Sequence, residues 1–296
     1  MQSQSTLQVK IQKVSAQCIA DTEDALAVEE PMEIRLGFTQ EGKRTSRSIS
    51  ITMRTPGEDF DLAAGFLFTE GIVAGRDQIA SIRHCGRPTG ETGLRNVVRV
   101  ELTPEVEIDF KRLERHFYTS SSCGVCGKTS LEALEIVGCP TPIQDDLTVS
   151  PHVVHRLPAA LREAQAVFAQ TGGLHAAALF DTSGRLLCLR EDVGRHNALD
   201  KLIGAQLREG RVPLSDCLLL LSGRASFELV QKALMARISL MAAVGAPSSL
   251  AVEMANRFHI TLLGFVRENR FNIYSATERI REDDGCLPSI SMKPAS

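Results

Sequence analysis

The sequence predicts an α/β protein, α+β in its first part, built as two domains. Two patterns carry this prediction. Residues 25–55 alternate apolar and polar side chains with a period of two, as half-buried strands do. Residues 151–296 alternate short apolar runs with helical stripes, which indicates a sheet covered by helices. Because prolines cluster between these regions, we expect a small mixed α/β domain over 1–150 and a larger α/β domain over 151–296.

Composition limits the possible functions. The chain has 296 residues and a net charge of −3, whereas a general binder of nucleic acid or anionic membranes needs a basic excess. No run approaches the roughly 18 apolar residues of a membrane helix, and the first residues lack the apolar stretch of a secretory signal. We therefore expect a cytoplasmic protein with no nucleic-acid or membrane partner, in which the 8 cysteines stay reduced.

The first half predicts mainly strands. Residues 1–20 are polar and are expected to be mobile. Two alternating stretches, 31–38 and 47–53, surround the turn Glu41-Gly42 and predict a β-hairpin. Beyond them, the patterns predict a helix over 59–70, a loop over 86–93, strands over 96–102 and 106–110, and a helix over 130–135.

The second half alternates helices and strands. Helices are predicted over 158–170 and 197–208, from Phe227 along a stripe that reaches Met241, and from Ser249 to Phe258. Strands are predicted over 176–181, 186–190, 217–222, 260–265 and 271–274, with a turn at 267–270 between the last two. The run 217–222 is continuously apolar and is followed by Gly223, which is typical of a buried parallel strand.

The pair Cys123-Gly-Val-Cys126 is the main chemical feature, and it lies in a stretch rich in Ser and Gly. A structural zinc site needs four ligands, but Cys85, His116 and Cys139 do not lie at a zinc-finger spacing from the pair. A dithiol oxidoreductase carries such a pair at a strand–helix junction, whereas a Ser-rich stretch precedes this one. An accidental pair on a loop is a further alternative.

The surroundings of the pair favour a nucleophile that handles sulfur. The helix predicted over 130–135 begins shortly after the pair, and its positive end stabilises a thiolate, which is the reactive form. Lys128 adds a positive charge nearby. The flanking glycines and serines predict thiols that are accessible and mobile.

Several stretches together carry a family resemblance. The most specific is Glu191-Asp-Val-Gly-Arg-His-Asn-Ala-Leu-Asp-Lys201 in combination with the cysteine pair. The chain resembles the formate dehydrogenase accessory sulfurtransferase family, the sulfur carriers of the FdhD/NarQ type. The matching stretches are spread over most of the chain: 56–71, 121–128, 171–176, 191–201, 222–224 and 264–274.

The resemblance implies a homodimeric sulfur carrier. It takes persulfide sulfur from a cysteine desulfurase and transfers it to the molybdenum cofactor, bis-molybdopterin guanine dinucleotide, as formate dehydrogenase activity requires. Cys123 corresponds to the persulfide carrier and Cys126 to its partner. The larger domain is similar to cytidine deaminases, which implies three α/β/α layers. The family's cofactor-binding stretch corresponds to Phe265, Val266, Arg267, Glu268, Asn269 and Arg270.

The residues themselves add candidates for binding this polyanionic cofactor. Ser222 and Arg224 follow a buried strand and precede a helix, where backbone N–H groups and a cation suit phosphate. An ordinary helix start is the alternative. For Arg267 and Arg270, a hairpin with solvated arginines is the alternative that the residues alone favour. Arg195 precedes another helix.

Two of these candidates have specific alternatives. Arg195 donates to the cofactor or pairs with Asp192 or Glu191. His175 lines the cofactor pocket or is structural. Zinc deaminases carry a His-x-Glu motif, but His175 is followed by two alanines, and no Pro-Cys-x-x-Cys occurs in the chain. No metal site of that kind is therefore predicted.

The function predicted from the sequence is therefore a sulfurtransferase with a cysteine persulfide intermediate on Cys123. The rival is a non-catalytic chaperone of the molybdenum cofactor. In that case the pair Cys123 and Cys126 is a tether, a redox sensor or a zinc site.

Overall fold

The computed structural model describes residues 5–88, 93–106, 108 and 143–281. In the first part of the chain, the elements are β1 (Thr6–Val14), β2 (Ile19–Ala27), β3 (Glu30–Gln40), β4 (Lys43–Arg54), α1 (Asp59–Thr69), β5 (Ile79–Cys85) and β6 (Val97–Leu102). They continue with α2 (Pro151–Ala164), α3 (Ala166–Thr171), β7 (His175–Phe180), β8 (Leu186–Asp192), α4 (Arg195–Arg208), β9 (Leu218–Leu221), α5 (Phe227–Met235), β10 (Leu240–Ala243), α6 (Ser249–Arg257), β11 (Thr261–Arg267) and β12 (Arg270–Ser275).

A six-stranded sheet with the order β12-β11-β10-β9-β7-β8 forms the centre of the second half. Strands β9, β10 and β11 are parallel, and the others run antiparallel to their neighbours. Leu218 and Leu220 face the α2 side, whereas Leu219 and Leu221 face the core shared with α4, α5 and α6. Since side chains alternate between the faces of a strand, apolar residues on both faces require helices on both sides. This confirms the α/β class and its three layers.

The first half packs on one face of these layers. A four-stranded sheet, β4-β3-β6-β5, lies against α1, which is buried around most of its circumference. Helix α1 in turn packs on α4 at Gly65 and Gly204, where a Cβ atom on either glycine would collide with the backbone of the facing helix. One hydrophobic cluster therefore includes side chains from both sides of residue 150.

Two predicted elements are wrong in type. Residues 1–20 were expected to be mobile, but β1 lies within that stretch and pairs with β2 along its whole length as an antiparallel hairpin. The stripe from Phe227 to Met241 is not one helix: α5 ends at Met235, Arg237 has a left-handed φ of 62°, and β10 follows. The apolar spacing misled here because a buried strand continued the helical stripe.

Smaller differences concern boundaries. The helix predicted over 158–170 begins at Pro151, because proline is well suited to a first helical turn, and it ends at Ala164 before the short α3. Strand β5 was not predicted. Strand β4 begins at Lys43, four residues before its predicted start at residue 47. The remaining predicted strands and helices are confirmed within two residues at each end. The predicted strand 106–110 is largely outside the described residues, and the helix 130–135 is entirely so.

Within the described residues, no helix combines the length and apolar character needed to cross a bilayer.

Candidate functional site

A cavity of about 1440 Å³ lies where four strands of the six-stranded sheet meet loops. The ends of β9, β10 and β11 and the start of β7 share one edge, because β7 runs antiparallel to β9. We call this the carboxyl edge. In open α/β sheets this edge is the usual ligand site. The cavity extends from the carboxyl edge along the second half of α2, α3 and the loop that precedes β7.

The structure brings most of the predicted cofactor residues to this cavity. Seven of the ten line it: His175, Ser222, Val266, Arg267, Glu268, Asn269 and Arg270. They come from three separate stretches of sequence. Their convergence depends on the sheet order and does not follow from any single motif.

Three predicted residues lie at the carboxyl edge but outside the lining of the cavity. Phe265 is 41% exposed, with a left-handed φ of 54° at an irregularity of β11. This conformation is rare and strained for a bulky side chain, so it is informative about function. Arg224 is exposed in the loop between β9 and α5, and its backbone packs against Gly245. Arg195 is the first residue of α4.

Arg267 is held firmly at the mouth of the cavity. Its Nη1 donates to the carbonyl oxygens of Val244, at 2.7 Å, and Val266, at 2.8 Å. Its own carbonyl oxygen lies 3.3 Å from His155 Nδ1. The turn of residues 268–269 then leads to Arg270, which makes no ion pair within the part of the chain that the structure describes. One arginine is thus anchored, and the next is available to a ligand.

His175 lines the cavity and lies near Arg195, His196 and Asp192. Its ring packs against Gly223, where a Cβ would lie 3.3 Å from Nδ1. Burial lowers the pKa of His175, and the charges of Arg195 and His196 lower it further, while Asp192 opposes them. His175 is therefore neutral at pH 7 and able to accept a hydrogen bond or a proton.

Ser222 has a structural bond as well as its place in the lining. Its Oγ accepts a hydrogen bond from the backbone N–H of Ala176 at 2.8 Å, and its own N–H donates to Ala176 O at 3.0 Å. These two bonds fix the start of β7 to the end of β9. The serine therefore holds the carboxyl edge together.

The stretch 191–201 builds the frame of the site. The Glu191 carboxylate accepts hydrogen bonds from the N–H groups of Val167, at 3.0 Å, and Phe168, at 2.8 Å, and so caps the start of α3. Asp192 and Lys201 form a fully buried ion pair at 2.8 Å. The suggested pairing of Arg195 with Glu191 or Asp192 is therefore wrong, because both carboxylates are engaged elsewhere.

Arg195 and His196 occupy the first turn of α4, which carries no acidic residue. The Arg195 guanidinium is unfavourable there, because the N-terminal end of a helix is itself positive. The Nε of Arg195 is buried without a hydrogen-bond partner among the described residues. His196 Nε2 lies 3.4 Å from Ser226 Oγ and 3.9 Å from the Glu228 carboxylate, and the nearby imidazole lowers the pKa of that carboxyl to about 2. An anion at this edge would relieve the excess positive charge.

Sequence reasoning missed the wall of the cavity that α2 and α3 provide. Residues without a recognisable motif contribute to it: Arg162, Glu163, Gln165 and Phe168. The adjoining Gly172 and Gly173 fall in the stretch 171–176 that carried part of the family resemblance. The match of that stretch to the family was the one sequence feature that could have indicated this wall of the cavity.

Cys123 and Cys126 lie outside the described residues. Four other cysteines are described, and all four are free thiols: Cys18, Cys85, Cys188 and Cys217. Burial raises the pKa of Cys217 to about 12 and also raises that of Cys188, so neither is a reactive thiolate. Among the described residues, no group of three or more His, Cys, Asp or Glu could hold a metal ion.

Known proteins resemble this chain over nearly its whole length. The model of the FdhD/NarQ family matches residues 27–281. The "Sulfur carrier protein FdhD" of Mycobacterium tuberculosis is 48% identical over 281 residues, which are 93% of this chain and 99% of that protein. The protein of the same name from Streptomyces coelicolor is 47% identical over 274 residues, 92% of this chain and 94% of its own.

One solved structure has the same fold. It is that of a Desulfotalea psychrophila protein described as a formate dehydrogenase accessory protein, with a TM-score of 0.71 and 24% identity. The match covers 94% of this chain and 100% of that one. The family match and the relatives at nearly half identity confirm the resemblance drawn from the cysteine pair and the 191–201 stretch: this chain is a member of the FdhD/NarQ family.

Proposed function

We propose that this chain is a sulfurtransferase that carries sulfur to the molybdenum cofactor of a formate dehydrogenase. Cys123 takes sulfur from the persulfide of a cysteine desulfurase, with Cys126 as its partner, and delivers it to bis-molybdopterin guanine dinucleotide bound in the cavity. The names of the relatives, sulfur carrier and formate dehydrogenase accessory protein, support this role. We expect a homodimer that works in the cytoplasm, where thiols stay reduced.

The single observation that carries the proposal is the convergence of seven predicted cofactor residues on one cavity. Its volume of about 1440 Å³ exceeds the roughly 300–1,000 Å³ of an ordinary small-ligand site, as a dinucleotide cofactor requires. Arg162 and Arg270 at its rim suit phosphate groups. On the other side of the carboxyl edge, Arg195, Arg224 and the exposed Phe265 remain candidates for the rest of a large ligand.

The first chemical step is a thiolate exchange. The Cys123 thiolate attacks the terminal sulfur of the donor's persulfide, so that a new S–S bond forms on Cys123. The S–S bond of the donor breaks, and the donor cysteine leaves as a thiolate. No oxidant or reductant is consumed, because the transferred sulfur keeps its oxidation state. Cys126 then acts in one of two ways. Its thiolate attacks the outer sulfur and takes over the persulfide, while Cys123 leaves as a thiolate; or it attacks the Cys123 sulfur, so that a Cys123–Cys126 disulfide forms and the carried sulfur is released as hydrosulfide.

Labelled sulfur tests the proposal. The full-length protein is incubated with a desulfurase and labelled cysteine, separated from the donor, and then offered the molybdenum cofactor. We expect the wild-type protein and a Cys18→Ala control to accept and pass on label, and a Cys123→Ala variant to accept none. If Cys123→Ala and Cys126→Ala both still accept and pass on sulfur, the carrier role is wrong and a chaperone role takes its place.

A further inference from the structure

The hairpin of β1 and β2 stands apart from the other sheets. Its two strands form a sheet of their own, and its base rests on the body of the protein. There the Ser5 Oγ donates to the Pro56 carbonyl oxygen at 2.9 Å, and Ala27 lies against Gly173 in the loop before β7. Each strand has 9 residues, so the hairpin is about 30 Å long. We call this hairpin the arm.

The arm buries little apolar surface within its own chain. A two-stranded hairpin is at best marginally stable in water unless a further element covers it. Two cross-strand pairs of large apolar side chains are exposed on the arm: Leu7 with Leu26 near the base, and Val14 with Ile19 at the tip. These four side chains are 46% to 71% exposed. The arm therefore requires a partner surface.

One face of the arm combines apolar groups with a carboxylate. Because side chains alternate between the faces of a strand, Asp24 shares a face with the Leu7–Leu26 pair. Val9 lies opposite Asp24, so no cation faces this carboxylate across the arm. Lys13 is on the same face but lies about 20 Å from the leucine pair, toward the tip. A surface that fits this face needs an apolar patch beside a positive charge.

The four-stranded sheet offers such a surface on the side that faces away from α1. The core residues Ile34 and Val98 point toward α1. On the opposite side, which we call the outer face, Ile51 is 71% exposed and Met53 is 46% exposed. Both lie near the end of β4, and Pro56, which contacts the base of the arm, follows that strand. The apolar patch of the outer face therefore lies at the end of the sheet from which the arm projects.

Three arginines form a row across the outer face. Arg35 on β3, Arg99 on β6 and Arg83 on β5 are directly opposite one another in register. Like charges in such positions repel. Glu33 pairs with Arg35 at 2.7 Å, while Glu101 pairs with Arg83 at 3.3 Å and with Arg99 at 2.5 Å. Among the described residues, two carboxylates thus serve three guanidinium groups, which leaves the row with a net positive charge.

The apolar and charged groups follow in the same order on the two surfaces. On the arm, Asp24 lies about 7 Å beyond Leu26 as the strand leads away from the base. On the outer face, Ile51 is opposite Glu33, and the arginine row crosses β3 at Arg35, about 7 Å further along. An arm laid along this face from the same end brings apolar groups together and places its carboxylate at the arginines.

We propose that the arm of each copy packs on the outer face of a second copy in the homodimer. The Leu7–Leu26 pair then covers Ile51, and Asp24 pairs with the arginine row. Both surfaces belong to one chain and begin at the same end of the sheet, so a two-fold axis at that end exchanges the two arms at once. This assignment rests on the homodimer of the proposed function, and it adds the surface that forms it.

Analytical ultracentrifugation of the full chain tests this interface. We expect the wild-type protein to sediment as a dimer. Asp24→Arg should raise the dissociation constant of the dimer at least about tenfold, because a cation then faces the arginine row. Adding Arg83→Glu to Asp24→Arg should restore tight association, since the two charges are exchanged. Asp21→Arg, on the opposite face of the arm, is the matched control and should leave the dissociation constant unchanged.

The outcomes separate two failures. If Asp24→Arg associates as tightly as the wild-type protein, or if Arg83→Glu does not rescue it, the arm is not the interface and the homodimer stands. If the wild-type protein is a monomer, the expected homodimer and this interface fail together, whereas uptake of labelled sulfur still tests the carrier role. A wild-type monomer whose complex with the desulfurase is weakened by Asp24→Arg would assign the arm to the sulfur donor instead. Thermal unfolding midpoints close to that of the wild-type protein show that each variant is folded.

Discussion

At the residue scale, the 191–201 stretch is largely structural: Glu191, Asp192 and Lys201 form a largely buried polar cluster that we call the latch. Neighbouring residues on β8 point to opposite faces, so Glu191 reaches α3 while Asp192 turns inward to Lys201. Asp192 also accepts hydrogen bonds from the N–H groups of Thr55, at 3.2 Å, and Gly194, at 2.9 Å, and Lys201 Nζ donates to Thr55 O at 2.9 Å. The latch therefore joins the β4–α1 connection to α4.

Breaking the latch should be costly. Lys201→Met leaves the Asp192 carboxylate buried without its counter-ion, and we expect the free energy of unfolding to fall by about 3–5 kcal/mol. Urea unfolding measures it. Arg35→Ala removes an exposed partner of Glu33 and should change stability by less than ~1 kcal/mol. Equal effects of the two substitutions would contradict the latch.

Ligand binding should be coupled to protonation of the His175 side chain. Its pKa is lowered by burial and by Arg195 and His196, against Asp192, so the free protein holds it neutral. A bound diphosphate brings negative charge beside these groups and raises that pKa. The protonated form then binds more tightly, so GDP affinity rises as the pH falls from about 8 to about 6, by at most about tenfold per pH unit for one proton.

A comparison of variants isolates this linkage. His175→Asn should flatten the dependence of GDP affinity on pH relative to the wild-type protein, whereas His259→Asn, which removes the partner of Glu278 at 2.8 Å, should not. The same slope in His175→Asn and the wild-type protein would assign the dependence to a group other than His175.

At the element scale, sequence patterns locate elements whose environment is uniform. Strand β9 was predictable because Leu218–Leu221 is wholly buried and therefore wholly apolar. The hairpin of β1 and β2 was missed because most of its side chains are exposed, and even Val14 and Ile19 lie in solvent. The wall of the cavity that α2 and α3 provide was missed for another reason: Glu163, Gln165 and Phe168 form it only when the sheet brings the β11–β12 turn opposite them.

The crossing of α1 and α4 gives a prediction of its own. Gly204→Ala would ordinarily stabilise a helix by up to about 1 kcal/mol. Here the added methyl group meets the backbone of Asp61 and Gly65, so we expect a loss of about 1–3 kcal/mol in the free energy of unfolding. Chemical denaturation measures the change, with Ala159→Gly at an exposed position of α2 as a control for helix propensity. A more stable Gly204→Ala variant would show that the helices do not touch there.

At the scale of the whole molecule, the charge distribution is uneven. The net charge is only −3, yet Arg162, Arg195, Arg224 and Arg270 gather around one edge of one sheet. The described residues that line the cavity all fall within 158–270, whereas the cysteine pair comes earlier in the chain. Binding and sulfur chemistry are thus carried by different stretches, so we expect cavity variants to keep the ability to accept sulfur.

That separation can be measured with an arginine variant. Arg270→Ala should weaken the binding of the cofactor and of GDP about tenfold or more, because it removes a charge-assisted contact to phosphate. It should leave the uptake of labelled sulfur unchanged. Arg185→Ala is the matched control. The Arg185 side chain forms an ion pair with Asp181 at 3.0 Å and does not line the cavity. Loss of sulfur uptake in Arg270→Ala would show that the two stretches act as one site.

The central claim is that Cys123 carries a persulfide. Mass spectrometry of the full-length protein after incubation with a cysteine desulfurase and cysteine tests it most directly. We predict that the peptide containing Cys123 gains the mass of one sulfur atom, that a thiol reductant removes this mass, and that Cys123→Ala loses the gain while Cys18→Ala keeps it. An unmodified Cys123 peptide, or a gain that persists in Cys123→Ala, would contradict the claim.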